Sequence, residues 1–297
     1  MELTRKQFDV LSAFAMSKQK ISQRQLEEKC DYSLGTINKV VKELTEKGFI
    51  CDGEITPIGI DALEPYRAKK AIFIAAGFGS RMVPVTLNTP KPLIRVNGTR
   101  IIDTLIDACL EAGIGEIYIV RGYLAEQFDQ LLYKYPMIKF LENPSYNEAN
   151  NISSAMVARY MLQNAYVFES DLIISNPSII KKYHYNSDVL GIWKDRTDDW
   201  VLEVDTDGFV KDERVGGVNT YQMVGVYYFN AADGAKLSEH IKEAYLAPGG
   251  KERYWETVPN LAYKGQYKIE VLPCKEDDIV EIDTFRELKA IDKTYDV

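Results

Sequence analysis

The stretch AAGFGSRMVPVTLNTPKPL, residues 75–93, follows a short apolar run and contains two glycines, an arginine and a lysine. A strand that ends at Ala75-Ala76-Gly77 and continues through Gly79-Ser80 can turn sharply, because glycine adopts a positive φ without steric cost. Amide N–H groups at such a turn can hold phosphate oxygens. The spacing fits neither the dinucleotide-binding G-x-G-x-x-G pattern nor a Walker loop. The turn is therefore either a phosphate site of another kind or simply a bend after a strand.

Two cations favour the phosphate interpretation. Arg81 follows the glycines directly, and Lys91 lies in the segment TPKPL. Pro90 and Pro92 flank the lysine and stiffen its loop, because proline fixes φ. A cation on a stiff loop suits a fixed phosphate contact better than a solvated position on the surface. The stretch therefore predicts a phosphate site in which backbone amides act together with Arg81 and Lys91.

Strands and helices alternate after residue 70. Apolar runs typical of strands occur at 71–76, 117–120, 138–141, 166–168, 189–193, 224–229 and 267–272. Amphipathic stretches lie between several of them, such as 101–112, where Ile101, Leu105 and Ala108 share a helical face. This pattern predicts an α/β domain with a doubly wound, mostly parallel sheet. Ligands of such sheets bind at the carboxyl ends of the strands, which is where residues 75–93 fall.

The first 68 residues follow a different pattern. Apolar residues recur at helical spacing in TRKQFDVLSAFAMS, in SQRQLEEKCD after the capping Ser22, and in TINKVVKELTEKGFI. The segment FICDGEI then predicts a hairpin around an Asp-Gly turn. Helices followed by a hairpin predict a small winged helix-turn-helix domain, and ITPIGIDALEPY is similar to the wing segment of MarR-type regulators. We therefore expect a domain 1–68 ahead of a domain 69–297.

The partner of the first domain stays open between two alternatives. The candidate recognition helix carries lysines, among them Lys39 and Lys42, but Glu43 and Glu46 offset them. Contacts between cations and phosphates supply most non-specific affinity for DNA, and this helix has no marked excess of cations. DNA binding through residues 1–68 and a regulatory or dimerising role, which would make the chain a homodimer, are therefore both compatible with the sequence.

Composition excludes several other classes of protein. The chain of 297 residues is 46% hydrophobic and 27% charged, which is typical of a globular protein, and its net charge is −8. No apolar run reaches the roughly 18 residues of a membrane-spanning helix, so we expect no membrane insertion. Four cysteines without C-x-x-C spacing predict reduced thiols rather than a zinc site or disulfides. We expect a cytoplasmic protein.

The stretch 75–93 resembles the signature of the sugar-phosphate and phosphocholine nucleotidylyltransferases. The segments IVRGYLAEQFDQLLYKY, FLENPSYNEANNISSAM and RYWETV are similar to the bacterial CTP:phosphocholine cytidylyltransferase branch. The resemblance implies a Rossmann-like mixed sheet of the nucleotidyltransferase fold, and transfer of CMP from CTP to phosphocholine or a related small phosphorylated acceptor. That family normally begins at the strand before the glycine turn, so the winged-helix domain is an addition.

The resemblance also implies roles for four charged residues. Arg81 would contact the β- and γ-phosphates, and Lys91 the α-phosphate where charge builds during transfer. Asp171, at the end of the strand YVFESD, and Asp283, in EIDT, match the metal aspartates of the family and would hold Mg²⁺, which prefers hard oxygen ligands. An aspartate before TFRELKAI could instead cap a helix, so that alternative stays open for Asp283.

The nucleotide is expected beside the glycine turn, at Ala75, Ala76, Gly77, Gly79 and Ser80. In the resemblance, Tyr123 and the segment with Asn151 and Ser154 flank the base and ribose. Asn151 and Ser153 could instead cap the helix that begins near Ile152.

The resemblance places the acceptor against Trp200 and the triplet Tyr254-Trp255-Glu256. Aromatic faces beside a carboxylate suit a quaternary ammonium, although aromatics at such spacing also occur as ordinary core residues. Val280 stands where the phosphocholine enzymes have a tyrosine, which leaves room for a primary amine such as aminoethylphosphonate or phosphoethanolamine.

Two other functions compete with cytidylyl transfer. The first is a sugar-1-phosphate nucleotidylyltransferase, which the tryptophans disfavour. The second is a transcription regulator that senses a nucleotide or a phospho-metabolite, which the joint presence of Arg81, Lys91, Asp171 and Asp283 disfavours.

Overall fold

The structure is a computed structural model that describes residues 2–17 and 19–296. The chain divides into two compact units. The first comprises Met1–Arg67 together with Tyr183–Tyr185, and the second comprises Ala68–Lys182 and Asn186–Val297. Of the described helices, none is both long and apolar enough to cross a membrane.

The first unit contains helices followed by a two-stranded hairpin, as the sequence predicts for a winged helix-turn-helix. Its elements are α1 (Arg5–Met16), α2 (Gln23–Cys30), α3 (Leu34–Glu46), β1 (Ile50–Cys51), β2 (Glu54–Ile55) and α4 (Pro57–Leu63). Ser22 caps α2, with its hydroxyl accepting from the Gln25 amide at 3.3 Å. The strands pair antiparallel around residues 52 and 53, so the predicted Asp-Gly turn is present.

A distant tripeptide completes the core of this unit. Tyr183 packs against the same hydrophobic cluster as the helices. The Tyr185 ring stacks on Tyr66, with 5.8 Å between centroids, and its hydroxyl donates to the Leu3 carbonyl at 3.2 Å. The domain 1–68 expected from the sequence does not include Tyr183–Tyr185, because no local pattern relates residues so far apart along the chain.

The second unit is an α/β structure. Its strands are β3 (Lys70–Ile74), β4 (Arg95–Val96), β5 (Thr99–Arg100), β6 (Glu116–Arg121), β7 (Lys139–Glu142), β8 (Ala165–Glu169), β9 (Leu172–Ile174), β10 (Ser187–Val204), β11 (Val210–Phe229), β12 (Ile269–Cys274) and β13 (Ile279–Glu281). Its α-helices are α5 (Ile101–Glu111), α6 (Ile152–Ala158), α7 (Ala231–Leu246) and α8 (Phe285–Ile291).

In the part of the chain that the structure describes, seven strands form the central sheet, in the order β12-β10-β11-β8-β3-β6-β7. Strand β11 runs antiparallel to its neighbours β8 and β10, and the other neighbouring pairs are parallel. The prediction of a doubly wound mixed sheet is confirmed. Both faces of β3 are buried, since Phe73 enters one hydrophobic cluster and Ile72 and Ile74 enter another.

Strands β10 and β11 are longer than the sequence predicts. The apolar runs 189–193 and 224–229 are only the outer ends of an antiparallel pair of 18 and 20 residues. The middle of the pair is rich in charged residues, which hides it from a search for apolar alternation. This extension places Trp200 and Glu213 beside the carboxyl ends of the parallel strands.

Helix α7 packs so closely at Gly234 that a larger residue there should destabilise the second unit. A Cβ atom on Gly234 in α7 would lie 2.2 Å from the Leu162 carbonyl oxygen. We expect Gly234→Ala to lower the free energy of unfolding by about 1–3 kcal/mol, because backbone has to move. The matched control is Gly35→Ala in α3, whose added Cβ meets no atom within 4 Å. Urea unfolding measures both, and equal midpoints for the two variants would contradict the prediction.

Candidate active site

The glycine turn lies between the end of β3 and residue 80. Gly79 has φ +68°, and a Cβ there would lie 3.2 Å from Lys91 Cβ. Glycine is therefore required at position 79 by both conformation and packing. Gly77 does not have a positive φ, and the space next to it is open. Among the described residues, the amides of Gly77, Phe78 and Gly79 donate to no protein acceptor, so they are available to an anion.

Lys91 connects the turn to two distant aspartates. Its Nζ donates to Asp171 Oδ2 at 2.8 Å and to Asp283 Oδ1 at 3.0 Å. Burial opposes its charge, but these two carboxylates outweigh burial and raise the pKa of Lys91 above its usual value. The ammonium group therefore stays charged although its side chain is only 11% exposed.

Arg81 is the second cation of the site. Its side chain is 67% exposed and forms an ion pair with Asp283. Elsewhere in the site, the Ser170 hydroxyl donates to the Ile74 carbonyl at 2.5 Å. This bond joins the end of β8 to the end of β3 and positions the neighbouring Asp171.

Three carboxylates could hold a metal ion. Asp171, Glu281 and Asp283 each place a carboxylate oxygen so that all three atoms lie within 4.8 Å of one another. A set of hard oxygen donors beside a turn with free amides fits a divalent cation such as magnesium. The predicted pair Asp171 and Asp283 is thus brought together. Sequence reasoning missed Glu281, although the alternation of Glu281-Ile282-Asp283 in an extended segment indicates a common face.

The helix-cap alternative is wrong for Asp283. The N-cap of α8 is Thr284, whose hydroxyl accepts from the Glu287 amide at 3.2 Å. Asp283 uses its backbone amide to donate to Glu287, which leaves its carboxylate for Arg81 and Lys91.

A first cavity of about 300 Å³ opens beside the glycine turn. Arg81, Lys91 and most of the predicted nucleotide-binding residues line it: Ala75, Ala76, Gly77, Gly79, Asn151 and Ser154. Ser80 and Tyr123 lie outside this lining. The Tyr123 hydroxyl instead donates to the Thr86 carbonyl at 2.9 Å, so this side chain braces the loop.

Sequence reasoning missed Asn143 and Tyr146, which also line the first cavity. Asn143 is 3% exposed, and its Nδ2 donates to the hydroxyls of Ser153 and Ser154 at 2.9 and 3.0 Å. Asn143 thereby joins the segment after β7 to α6. Its position in a loop carries no periodic signal that could have identified it.

Asn151 does not cap α6 with its side chain, so the capping alternative is wrong for this residue. Its Nδ2 donates to Glu169 and Glu256 at 3.2 Å, and its Oδ1 accepts from the Trp255 amide at 2.9 Å. Ser153 donates to the Asn150 carbonyl at 2.8 Å. The Asn151 side chain therefore cross-links residues that line the two cavities instead of capping the start of α6.

A second cavity of about 260 Å³ shares Arg81, Asn151, Glu169, Asp171 and Tyr254 with the first. Of the residues predicted to bind the acceptor, Trp200, Tyr254 and Glu256 line it. Trp255 does not, because it is fully buried against Tyr227 and Phe229 in the core. Its indole Nε1 donates to Glu169 Oε1 at 2.9 Å, so Trp255 positions a lining residue. Val280 lines a neighbouring cavity of about 310 Å³ instead.

Carboxyl groups dominate the second cavity, and their pKa values reflect it. Burial raises the pKa of Glu169 well above its usual value, and the charge of Glu256 adds to the shift. Burial likewise raises the pKa of Glu256, and it raises the pKa of Glu213 to about 7. Although Glu281 as a residue is exposed, desolvation of its carboxyl in the cleft raises its pKa to about 8, with Asp171 and Asp283 adding repulsion. The cavity favours a positively charged occupant.

Comparisons with known proteins agree with this geometry. The nucleotidyl transferase family matches residues 70–189, and the MarR family matches residues 2–52. The 2-aminoethylphosphonate cytidylyltransferase of Lancefieldella rimae is 40% identical over 228 residues, which cover 76% of this chain and 92% of that protein. The choline-phosphate cytidylyltransferase of Streptococcus pneumoniae is 30% identical over 225 residues, which cover 75% of this chain and 97% of that protein.

A solved structure supports the same relationship. The structure of CTP:phosphocholine cytidylyltransferase from Streptococcus pneumoniae matches with a TM-score of 0.70 and 29% identity, covering 77% of this chain and 99% of that one. Free amides at a glycine turn, beside a cluster of carboxylates at the strand ends of a mixed sheet, are typical of α/β enzymes that act on phosphate compounds. The chain belongs to the nucleotidyl transferase family and carries a MarR-family helix-turn-helix domain in front. Both resemblances inferred from the sequence are confirmed.

The position of Lys91 predicts an effect on metal binding. A divalent cation that binds Asp171 and Asp283 has to displace the ammonium group between them. We expect Lys91→Met to tighten Mn²⁺ binding by the nucleotide-free chain about tenfold, or roughly 1.4 kcal/mol. Electron paramagnetic resonance of free Mn²⁺ measures this affinity. The matched control is Lys264→Met, whose ammonium pairs with Asp212, and an equal change in both variants would contradict the prediction.

Proposed function

We propose that this chain is a cytidylyltransferase that transfers CMP from CTP to a small phosphate or phosphonate bearing an amino group, and releases pyrophosphate. The observation that carries the proposal is the pair of cavities that meet at Arg81 and Asp171. The first cavity offers free amides and cations, as a triphosphate requires. The second offers carboxylates and aromatic faces, as an ammonium group requires.

The reaction is an in-line displacement. An oxygen of the acceptor forms a bond to the α-phosphorus of CTP, the bond from that phosphorus to the bridging oxygen breaks, and the electron pair leaves on pyrophosphate. The attacking group is already an anion, so no general base is needed. Positioning and neutralisation of charge carry the catalysis.

Each cation has a proposed role in this step. Lys91 stays charged and is held rigidly, so it suits the α-phosphate, where negative charge builds. Arg81 is more exposed and lines both cavities, so it suits the β- and γ-phosphates of the leaving group. Gly77, Phe78 and Gly79 would add backbone N–H donors to the same phosphates.

Asp171, Asp283 and Glu281 are the proposed ligands of Mg²⁺. When bound, Mg²⁺ would neutralise charge on the phosphates. Glu281 would take the place of a third protein ligand beside the two aspartates expected from the resemblance. The chain's own contribution is to keep these three carboxylates together at the meeting point of the cavities.

The alternatives are less well supported. A sugar phosphate would gain little from the charge of a carboxylate-rich cavity with two aromatic side chains. A sensor that performs no chemistry would not require Lys91 to be held between the proposed metal ligands. In the first unit, the MarR match suggests DNA as a partner, whereas Asp52 and Glu54 at the hairpin turn disfavour contact with phosphates. DNA binding and self-association both remain proposals for this unit.

The reaction itself is tested by pyrophosphate release. We expect release with CTP, Mg²⁺ and an acceptor from the panel of 2-aminoethylphosphonate, phosphoethanolamine and phosphocholine, and much less with the other nucleoside triphosphates. Asp171→Ala should reduce the rate by at least about 10²-fold, because a proposed metal ligand is lost. Tight CTP binding without release for any acceptor would refute the proposal and favour the sensor.

Trp200 provides a separate test of the acceptor cavity. We expect Trp200→Ala to raise the KM for the acceptor about tenfold, the value of a lost cation–π contact, and to leave the KM for CTP unchanged. Trp193→Ala is the matched control, since Trp193 lies outside the lining of both cavities and packs on Tyr221. Steady-state kinetics give the KM for the acceptor and the KM for CTP of each variant, for comparison with the wild-type chain. If Trp200→Ala changed the KM for CTP more than the KM for the acceptor, Trp200 would not be part of the acceptor site.

A further inference from the structure

Resting on the proposed function, we propose that Glu213 selects acceptors with a primary ammonium group over acceptors with a trimethylammonium group. Glu213 lines the second cavity from strand β11 and is absent from the lining of the first cavity, which contains the glycine turn. The residue stands in the charged run KDERV, which by itself is typical of a solvated strand.

A hydrogen bond from Asn260 holds the side chain of Glu213. It is only 4% exposed, and its Oε2 accepts from Asn260 Nδ2 at 2.5 Å. Asn260 lies in the π-helical turn Val258–Ala262, is 3% exposed, and also donates to the Tyr227 hydroxyl at 2.9 Å. The carboxyl group is therefore held rigidly in the cavity wall. Among the described residues, no further hydrogen bond reaches its second oxygen.

Three glutamates of the second cavity have no lysine or arginine as an ion-pair partner among the described residues. Glu169, Glu213 and Glu256 all line it, and within the described ranges none of them forms an ion pair with a lysine or arginine. Arg81 pairs with Asp283, and Lys91 pairs with both Asp171 and Asp283. Removal of several carboxyl groups from water without a cation is costly. A positively charged ligand would compensate for this cost.

The kind of cation follows from hydrogen-bond chemistry. Glu169 already accepts from Trp255 Nε1 and Asn151 Nδ2, and Glu256 accepts from Asn151 Nδ2. Glu213 has a single donor, which is neutral. A primary ammonium has three N–H donors and can satisfy the free oxygen of Glu213. A trimethylammonium group has none, so it would displace water from that oxygen without supplying a donor in its place.

The test compares three acceptors with CTP and Mg²⁺. We expect the wild-type chain to prefer 2-aminoethylphosphonate to phosphocholine. Glu213→Gln should lower kcat/KM for 2-aminoethylphosphonate about 10- to 100-fold, the value of a charge-assisted hydrogen bond. The same variant should keep kcat/KM for phosphocholine and for ethylphosphonate, which lacks the amine, within a factor of about three.

Asp212→Asn is the matched control. It removes a carboxylate one residue away, where Asp212 pairs with Lys264 instead of lining the cavity. This control should leave the ratio of kcat/KM for 2-aminoethylphosphonate to kcat/KM for phosphocholine unchanged. Thermal unfolding shows whether each variant is folded. Calorimetric titration should give an unchanged affinity for CTP, because Glu213 lies outside the lining of the first cavity.

The outcomes separate this inference from the proposed function. Selective loss with 2-aminoethylphosphonate supports the role of Glu213. Equal loss with all three acceptors, or no loss, overturns it while cytidylyl transfer stands. A wild-type preference for phosphocholine also overturns it and leaves the reaction intact. If the wild-type chain binds CTP and uses no acceptor, both proposals fail together.

Discussion

The Lys91 ammonium group lies between the carboxylates of Asp171 and Asp283, which are 80 and 192 residues further along the chain. A buried cation of this kind is stable only while its anionic partners remain in place. The interaction therefore ties together the glycine turn, the end of β8 and the segment after β13. The rest of the site depends on this arrangement, because each of these segments carries further groups that face the two cavities.

The two cavities of the site differ in charge. Free amides and two cations border the first cavity, and carboxyl groups crowd the second. Under the proposed function, a polyanion in the first cavity and an ammonium compound in the second would meet where Arg81 and Asp171 line both cavities. Under the same proposal, this polarity would let a chain with a net charge of −8 bind a triphosphate, because local cations act where the overall field is unfavourable.

The first unit includes residues that lie outside the domain boundary expected from the sequence. Its helices and hairpin follow from local apolar spacing and from caps such as Ser22. Its core nevertheless includes Tyr183 and Tyr185, which come from a segment more than a hundred residues later. A fragment cut at residue 68 would lack the ring stacked on Tyr66. Experiments on this unit therefore require the whole chain.

The sequence by itself determined the sheet and the glycine turn, because each of these depends on short-range spacing or on a local motif, and the family resemblance singled out Arg81, Lys91, Asp171 and Asp283. The ion pairs of Lys91 with the two aspartates join residues 80 and 192 positions apart, so they belong to the tertiary structure. Only the tertiary structure decided that Glu281 joins the aspartates, that Asn143 and Tyr146 line the first cavity, and that Trp255 is buried. Glu213 belongs to the same group, since the pairing of β10 with β11 brings it to the second cavity. The physical reason is that strand ends and loops distant in sequence converge only when the sheet forms, and burial is a property of that convergence.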